Sequence, residues 1–229
     1  MIELEDVSVE LGGAAIVRSV SLTAKAGGFS AVIGPSGSGK TTLLRAISGE
    51  LSYAGHIAIS DNDIGDLSAR QQAALRGVLP QASAVAFPFT VREVITLNGG
   101  HGNLPQDHIE RQRAVEQLLT RVGLSGFAGR RYAELSGGEM QRVQLARVLF
   151  QLGDPEDGAV KWLLLDEPVS SLDIRHQIQI LQLATTFAES GGGVIAVMHD
   201  LNLTAMFADH VFMMNSGALD AEGPTRDCM

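Results

Sequence analysis

Eight residues constrain this chain more than any others: Gly34-Pro35-Ser36-Gly37-Ser38-Gly39-Lys40-Thr41. They match G-x-x-x-x-G-K-[ST], directly after the apolar run Phe29-Ser30-Ala31-Val32-Ile33 and directly before a helix-like segment. The glycines let the backbone turn its N–H groups inward, which makes a nest for phosphate oxygens. The helix that begins near Gly39 adds its free N–H groups and its positive dipole end. Lys40 supplies a point charge for the β- and γ-phosphates, and the Thr41 hydroxyl is suited to ligate Mg²⁺. Together with Thr42, these residues are expected to bind a nucleoside triphosphate. The bland alternative is a glycine-rich turn with a surface lysine, which needs neither the strand before it nor the helix after it.

A second site follows the run Trp162-Leu163-Leu164-Leu165, which ends in Asp166-Glu167. At a strand's carboxyl end adjacent side chains point in different directions. Asp166 can therefore support Mg²⁺ while Glu167 faces the γ-phosphate as a general base. Standing alone, such a pair is usually a loop start or a helix cap. Paired with the phosphate loop, it reads as catalytic.

Short apolar runs at Phe29–Ile33, Trp162–Leu165, Val194–Val197 and Val211–Met214 alternate with segments of helical spacing, such as Ile174, Ile178, Leu181 and Ala184. Val115, Leu118, Leu119 and Val122 repeat the helical spacing. The pattern predicts an α/β fold with a mainly parallel, covered sheet. Residues 1–28 differ. Ile2-Glu3-Leu4-Glu5 and Val7-Ser8-Val9-Glu10-Leu11 alternate apolar with polar residues, and Gly12-Gly13 then signals an antiparallel hairpin at one edge. Residues 86–135 interrupt the strand rhythm and read as an inserted helical subdomain. Asp154 to Gly158 reads as a polar surface loop without chemistry.

Composition removes several classes. With 45% hydrophobic and 19% charged residues, the 229-residue chain has enough apolar content for one large folded domain. No apolar run reaches the roughly 18–20 residues of a bilayer span. Met1 to Asp6 is acidic, so no secretory leader is expected. A net charge of -9 opposes general nucleic-acid binding. The lone Cys228 allows no internal disulfide and no cysteine metal cluster, which points to reducing cytoplasm.

Leu135-Ser136-Gly137-Gly138-Glu139-Met140-Gln141-Arg142 closely resembles the signature of ATP-binding cassette (ABC) ATPases, which usually ends LSGGQ and here carries Glu139. Physically it is another helix start, with Ser136 as cap and two glycines that permit close backbone approach. Further resemblances come in family order. Gln81, after Val78-Leu79-Pro80, is similar to the Q-loop glutamine, which contacts Mg²⁺ and senses the membrane partner. Ser171-Leu172-Asp173 resembles the D-loop, in which Asp173 approaches the dimer seam. His199, after Val194 to Met198, resembles the switch histidine on the γ-phosphate.

The resemblance covers essentially the whole chain. It implies a single nucleotide-binding domain over residues 1–229: a P-loop NTPase (RecA-like) core, an N-terminal antiparallel β subdomain and the inserted helical subdomain near 86–135. It implies ATP and Mg²⁺ as cofactors, with Thr41, Gln81 and Asp166 toward the metal and Glu167 and His199 as catalytic residues. It also implies a head-to-tail homodimer, in which Ser136, Gly137, Gly138 and Glu139 cover the partner's ATP. The further partners implied are two permease subunits and an external substrate-binding protein, with no nucleic acid. The place implied is the cytoplasmic face of the inner membrane, as a peripheral subunit.

One departure stands out. The family commonly stacks an aromatic residue on adenine from its N-terminal hairpin, and residues 1–28 contain no Phe, Tyr or Trp. Weaker base discrimination is the expectation. Glu139 in turn is expected to place a carboxylate near the partner's nucleotide. The segment Gly217 to Gly223 is similar to the family's last strand and turn; the chain then stops at Met229, so a final helix is expected to be missing.

A narrower resemblance is to the ATP-binding subunits of bacterial hemin importers. It rests on Pro80-Gln81-Ala82-Ser83, on Phe87-Pro88-Phe89-Thr90-Val91-Arg92-Glu93-Val94, and on the polar insert from Gly153 to Lys161. His199-Asp200-Leu201-Asn202-Leu203-Thr204-Ala205 is shared more broadly with iron-siderophore and cobalamin importers. Phe87-Pro88-Phe89 is expected to help form an apolar surface for a permease helix, or else to be core. No residue has a reason to ligate heme. The competing readings are a siderophore or cobalamin importer, a cassette ATPase of DNA repair or translation, and a small-molecule kinase or GTPase. The repair reading lacks a basic surface and coiled coils, and the kinase or GTPase reading leaves Ser136 to Gly138 and His199 without a role.

Overall fold

A computed structural model describes residues 1–81, 88–97, 107–153, 160–170 and 172–228. The N-terminal hairpin consists of β1 (Ile2–Leu11) and β2 (Ala14–Ala24), turned at Gly12-Gly13. The chain continues through β3 (Phe29–Ile33), α1 (Lys40–Ile47), β4 (Ala54–Ile59), β5 (Asn62–Asp63), α2 (Ala69–Leu75) and β6 (Arg76–Leu79). After these come α3 (Val91–Thr96), α4 (His108–Arg121), α5 (Gly137–Leu152) and β7 (Trp162–Asp166). The remainder is α6 (Ile174–Glu189), β8 (Gly193–Val197), α7 (Leu201–Phe207), β9 (His210–Asn215), β10 (Ala218–Pro224) and α8 (Thr225–Cys228).

Two sheets result. One has the order β10-β9-β3-β8-β7-β6, parallel except for the antiparallel edge strand β10. Its strands read as unbroken apolar runs because both faces are covered. Leu163, Leu165, Val194 and Ala196 face a core shared with the helices, whereas Trp162, Leu164, Ile195 and Val197 face a second core. The period-2 alternation of a strand thus feeds two cores at once.

The hairpin is not at the edge of this sheet, as its turn signal suggests. It belongs to a separate antiparallel sheet, β2-β1-β4-β5, in which Ile2 pairs with Ile59. Its alternating pattern has the matching cause: Ile2, Leu4, Val7 and Val9 are buried against the second core, while the intervening residues are not fully buried. One backbone bond, Arg18 N–H to the Gly217 carbonyl at 2.7 Å, ties β2 to the β9–β10 turn.

Between β6 and β7, α3 and α4 pack on α5 through Val91, Val94, Ile95, Val115, Leu118 and Leu119. Phe89 is half-buried against the same core, and Tyr132 N–H donates to its carbonyl at 2.9 Å. Phe87, Ala82, Ser83, Ser171, and most of the insert between Gly153 and Lys161, including Asp154 to Gly158, lie outside the described residues. Among the described residues no helix is long and apolar enough to cross a membrane.

Candidate functional site

Four neighbouring strands, β3, β8, β7 and β6, deliver the site from their carboxyl ends. β3 leads into the phosphate loop, β7 ends in Asp166, Glu167 follows it, Gln81 comes after β6 and His199 after β8. Ligands of open α/β sheets sit at this end because loops and helix N-termini converge there.

Gly34 opens the loop with φ 142°, and a Cβ there would collide with the Met214 carbonyl oxygen; only glycine lets β3 turn so close to β9. Lys40 is 5% exposed, and its Nζ donates to the Gly34 and Pro35 carbonyls at 2.9 and 2.8 Å. The ammonium therefore braces the loop from within, and its third donor is left for a ligand. Burial lowers the Lys40 pKa, opposed by Glu167 and Asp166. Thr41 Oγ1 donates to Asp166 Oδ1 at 2.8 Å. Burial raises the Asp166 carboxyl above its usual value, opposed by that hydrogen bond and reinforced by Glu167.

Glu167 adopts φ 49°, a left-handed conformation uncommon for a side chain of its size. The turn sends its carboxylate away from that of Asp166. Gln81 Nε2 donates to one oxygen at 2.7 Å, and His199 Nε2 lies 2.7 Å from the other. Such residues cost of order 1–3 kcal/mol and persist where the surroundings fix them. Here Ser170 N–H and Gln141 hold the strained turn, the first on the Glu167 carbonyl and the second on the Pro168 carbonyl. Glu167, His199, Lys40 and Thr41 share a cleft of about 310 Å³, joined by Ile16 from β2. Thr41, Asp166 and Gln81 line an adjoining cavity of about 270 Å³.

The structure therefore brings together the phosphate loop, Asp166, Glu167, Gln81 and His199. It does not place the signature with them: none of Ser136, Gly137, Gly138 and Glu139 lines either cavity. Ser136 caps α5, accepting from Glu139 N–H, while Glu139 accepts from both Ser136 N–H and its hydroxyl at 2.8 Å. This reciprocal capping box takes Glu or Gln equally well, so Glu139 fills the slot of the usual glutamine in the same geometry. A Cβ on Gly138 would stand 2.9 Å from Leu172 Cδ2, which keeps this helix start against the segment leading to Asp173. Asp173 caps α6, accepting from His176 N–H at 3.0 Å and pairing with its Nδ1 at 2.8 Å.

Two features of the site escape motif reading, and a third does not. The left-handed turn at Glu167 has no residue signal, since nothing in Asp-Glu demands it. The Gln141 tether to Pro168 depends on tertiary placement. The S-x-x-E capping box was visible in Ser136 to Glu139 and recurs at Thr90 to Glu93.

Known proteins give the geometry its context. The family described as ABC transporter matches residues 17–170. The hemin import ATP-binding protein HmuV of Rhizobium johnstonii is 57% identical over 225 residues, spanning 97% of this chain and 84% of that protein. Its counterpart of the same name from Rhizobium etli is 54% identical over 231 residues, with 100% and 87% covered. Among solved structures, a dimeric post-hydrolysis ATP-binding cassette bound to ADP and Pi superposes with a TM-score of 0.85 at 27% identity, covering 99% of each chain. A bacterial Atm1-family ABC exporter with ATP bound gives 0.82 at 26% identity, covering 99% of this chain and 39% of that one.

Proposed function

The chain belongs to the ABC transporter ATPase family, and from that premise we propose that it is the ATP-hydrolysing subunit of an importer that takes up hemin. The observation that carries the ATPase reading is the clasp of Glu167 by Gln81 and His199 beside the phosphate loop. The substrate reading is supported by likeness to proteins named for hemin import, over nearly the full chain.

In this reading the loop amides from Gly34 to Gly39, with Lys40, Thr41 and Thr42, hold the triphosphate. Thr41 and Asp166 present two hard oxygen donors side by side, and Gln81 lines the same cavity, a set that fits Mg²⁺. Mg²⁺ held by these residues would supply positive charge against that of the phosphates. Glu167 accepts a proton from the attacking water as the bond between the γ-phosphorus and the ADP oxygen breaks, and His199 orients that water. Gln81 and His199 each hold one oxygen of that carboxylate, which fixes its place beside the phosphate loop. Ser136, Gly137, Gly138 and Glu139 would close the site of a second copy across a head-to-tail dimer, with Asp173 at the seam. The subunit would sit peripherally on the inner membrane beneath two permease subunits, supplied by an external binding protein.

The test is ATPase activity of the subunit with its permease in lipid vesicles, with the binding protein added with and without hemin. A rise specific to hemin is the expected result. A rise with a ferric siderophore or cobalamin instead would keep the importer and replace its cargo. Failure to co-purify with any membrane protein would sink the transport reading.

A further inference from the structure

Away from the nucleotide cleft, a cavity of about 540 Å³ opens between α5 and α6, beside the loop that follows α4. Its lining includes Arg142, Arg175, His176, Gln179 and Gln182. Arg142 is 7% exposed, so it is buried more deeply than most arginines ever are, and its Nε has no hydrogen-bond partner. The two nearby carboxylates do not supply one. Glu139 is committed to Ser136, and Asp173 to His176; both act on Arg142 only through the field. A guanidinium carries five donors in a fixed fork, and burying it without acceptors is costly.

We propose that this cavity is a second anion site, separate from the nucleotide cleft, which binds a phosphate-class oxyanion against the Arg142 guanidinium with Arg175 and His176 supplying further donors. Several features select that chemistry. The cationic groups come from two different helices, which suits a tetrahedral acceptor better than a planar carboxylate. Two arginines gather here although the chain carries a net charge of -9. Gly123 lets the chain pass close beside these groups, since a Cβ there would stand 3.0 Å from Gln179 Nε2 and 3.5 Å from Arg142 Nη1. The ligand would lie between the helix that begins at Ser136 and the helix capped by Asp173.

Because the phosphate loop also takes phosphate, the test first fills it with a non-hydrolysable ATP analogue and Mg²⁺. Inorganic phosphate is then titrated into the full chain by calorimetry at constant ionic strength. One phosphate per chain is expected, competed by sulfate, with affinity falling about tenfold or more in Arg142→Gln and by a smaller factor in Arg175→Ala. Should Arg142→Gln fail to fold, the exposed pair Arg175→Ala and Gln182→Ala carries the same reading. The proposal is overturned by any of three results: no binding to the nucleotide-filled wild type at roughly tens of millimolar phosphate, affinity unchanged in the variants, or malonate binding more tightly than phosphate.

Discussion

Glu167 concentrates the chemistry at the scale of the residue. Its backbone is strained and its two oxygens have different partners; the proposed mechanism makes it the base for the attacking water. Glu167→Gln keeps the size and the hydrogen bond to Gln81 but loses the base. Nucleotide affinity should stay within a few-fold while turnover falls by about two or more orders of magnitude; wild-type turnover in single-turnover assays would remove Glu167 from the role. Ile16 makes a second test. It is the residue of the N-terminal hairpin that lines the cleft, where relatives more commonly offer an aromatic ring. Wild type should discriminate poorly between ATP and GTP, and Ile16→Tyr should tighten ATP by a stacking contribution of about 1–3 kcal/mol. Strong ATP preference in the wild type, measured by competition binding, would refute the first half. The phosphate loop and Glu167 were legible because phosphate chemistry uses particular side chains at particular spacings; Gln81 and His199 came from the family resemblance, and Ile16 gave no signal. Their contacts were not legible, since the hold of Gln81 and His199 on one carboxylate joins residues 86 and 32 positions away from Glu167.

Among the elements, helix starts carry the most local information. Glu93, Glu139 and Asp173 each cap a helix, and each carboxyl is held below its ordinary value by hydrogen bonds from backbone N–H and from a neighbouring side chain. A depressed folded-state value gives stability that is present above the unfolded value and is lost as pH falls through the folded one. Urea midpoints should therefore be flat near neutrality and drop as pH goes below about 4.5. Glu139→Gln keeps the capping box without a titrating group, so its midpoint should fall less steeply over the same window; an identical slope would mean that the cap does not couple to folding. Of these helix starts the one capped by Ser136 was picked out from the sequence; those at Thr90 and Asp173 were not read as caps. The separate antiparallel sheet was implied by the family resemblance and not by the hairpin signal, because Ile2 meets Ile59 across a long stretch of chain and a turn cannot say which sheet will take it.

For the whole molecule, most of the architecture was legible because the strands of the large sheet are buried on both faces, which turns them into short apolar blocks that stand out against helical spacing. Strand order was not, since nothing in a block such as Gly193–Val197 names its neighbours. Ser136 to Glu139 line neither cavity beside the phosphate loop, and the proposed head-to-tail arrangement completes each site with a second copy. Glu167→Gln with ATP and Mg²⁺ should elute as a dimer on size exclusion and the same protein without nucleotide as a monomer; a monomer under both conditions would contradict the head-to-tail arrangement. The position of β8 carries a last consequence, for biosynthesis. β3 and β7 both pair with β8 and not with each other. A nascent chain emerging from the ribosome as far as Asp166 already owns Lys40 and one of its acidic residues, yet it holds them on β3, which still lacks both sheet neighbours, and on the separate β6–β7 pair. Only when Gly193 to Val197 slots between them does the sheet close, so the capacity to hydrolyse ATP arrives in one late step of synthesis rather than by degrees.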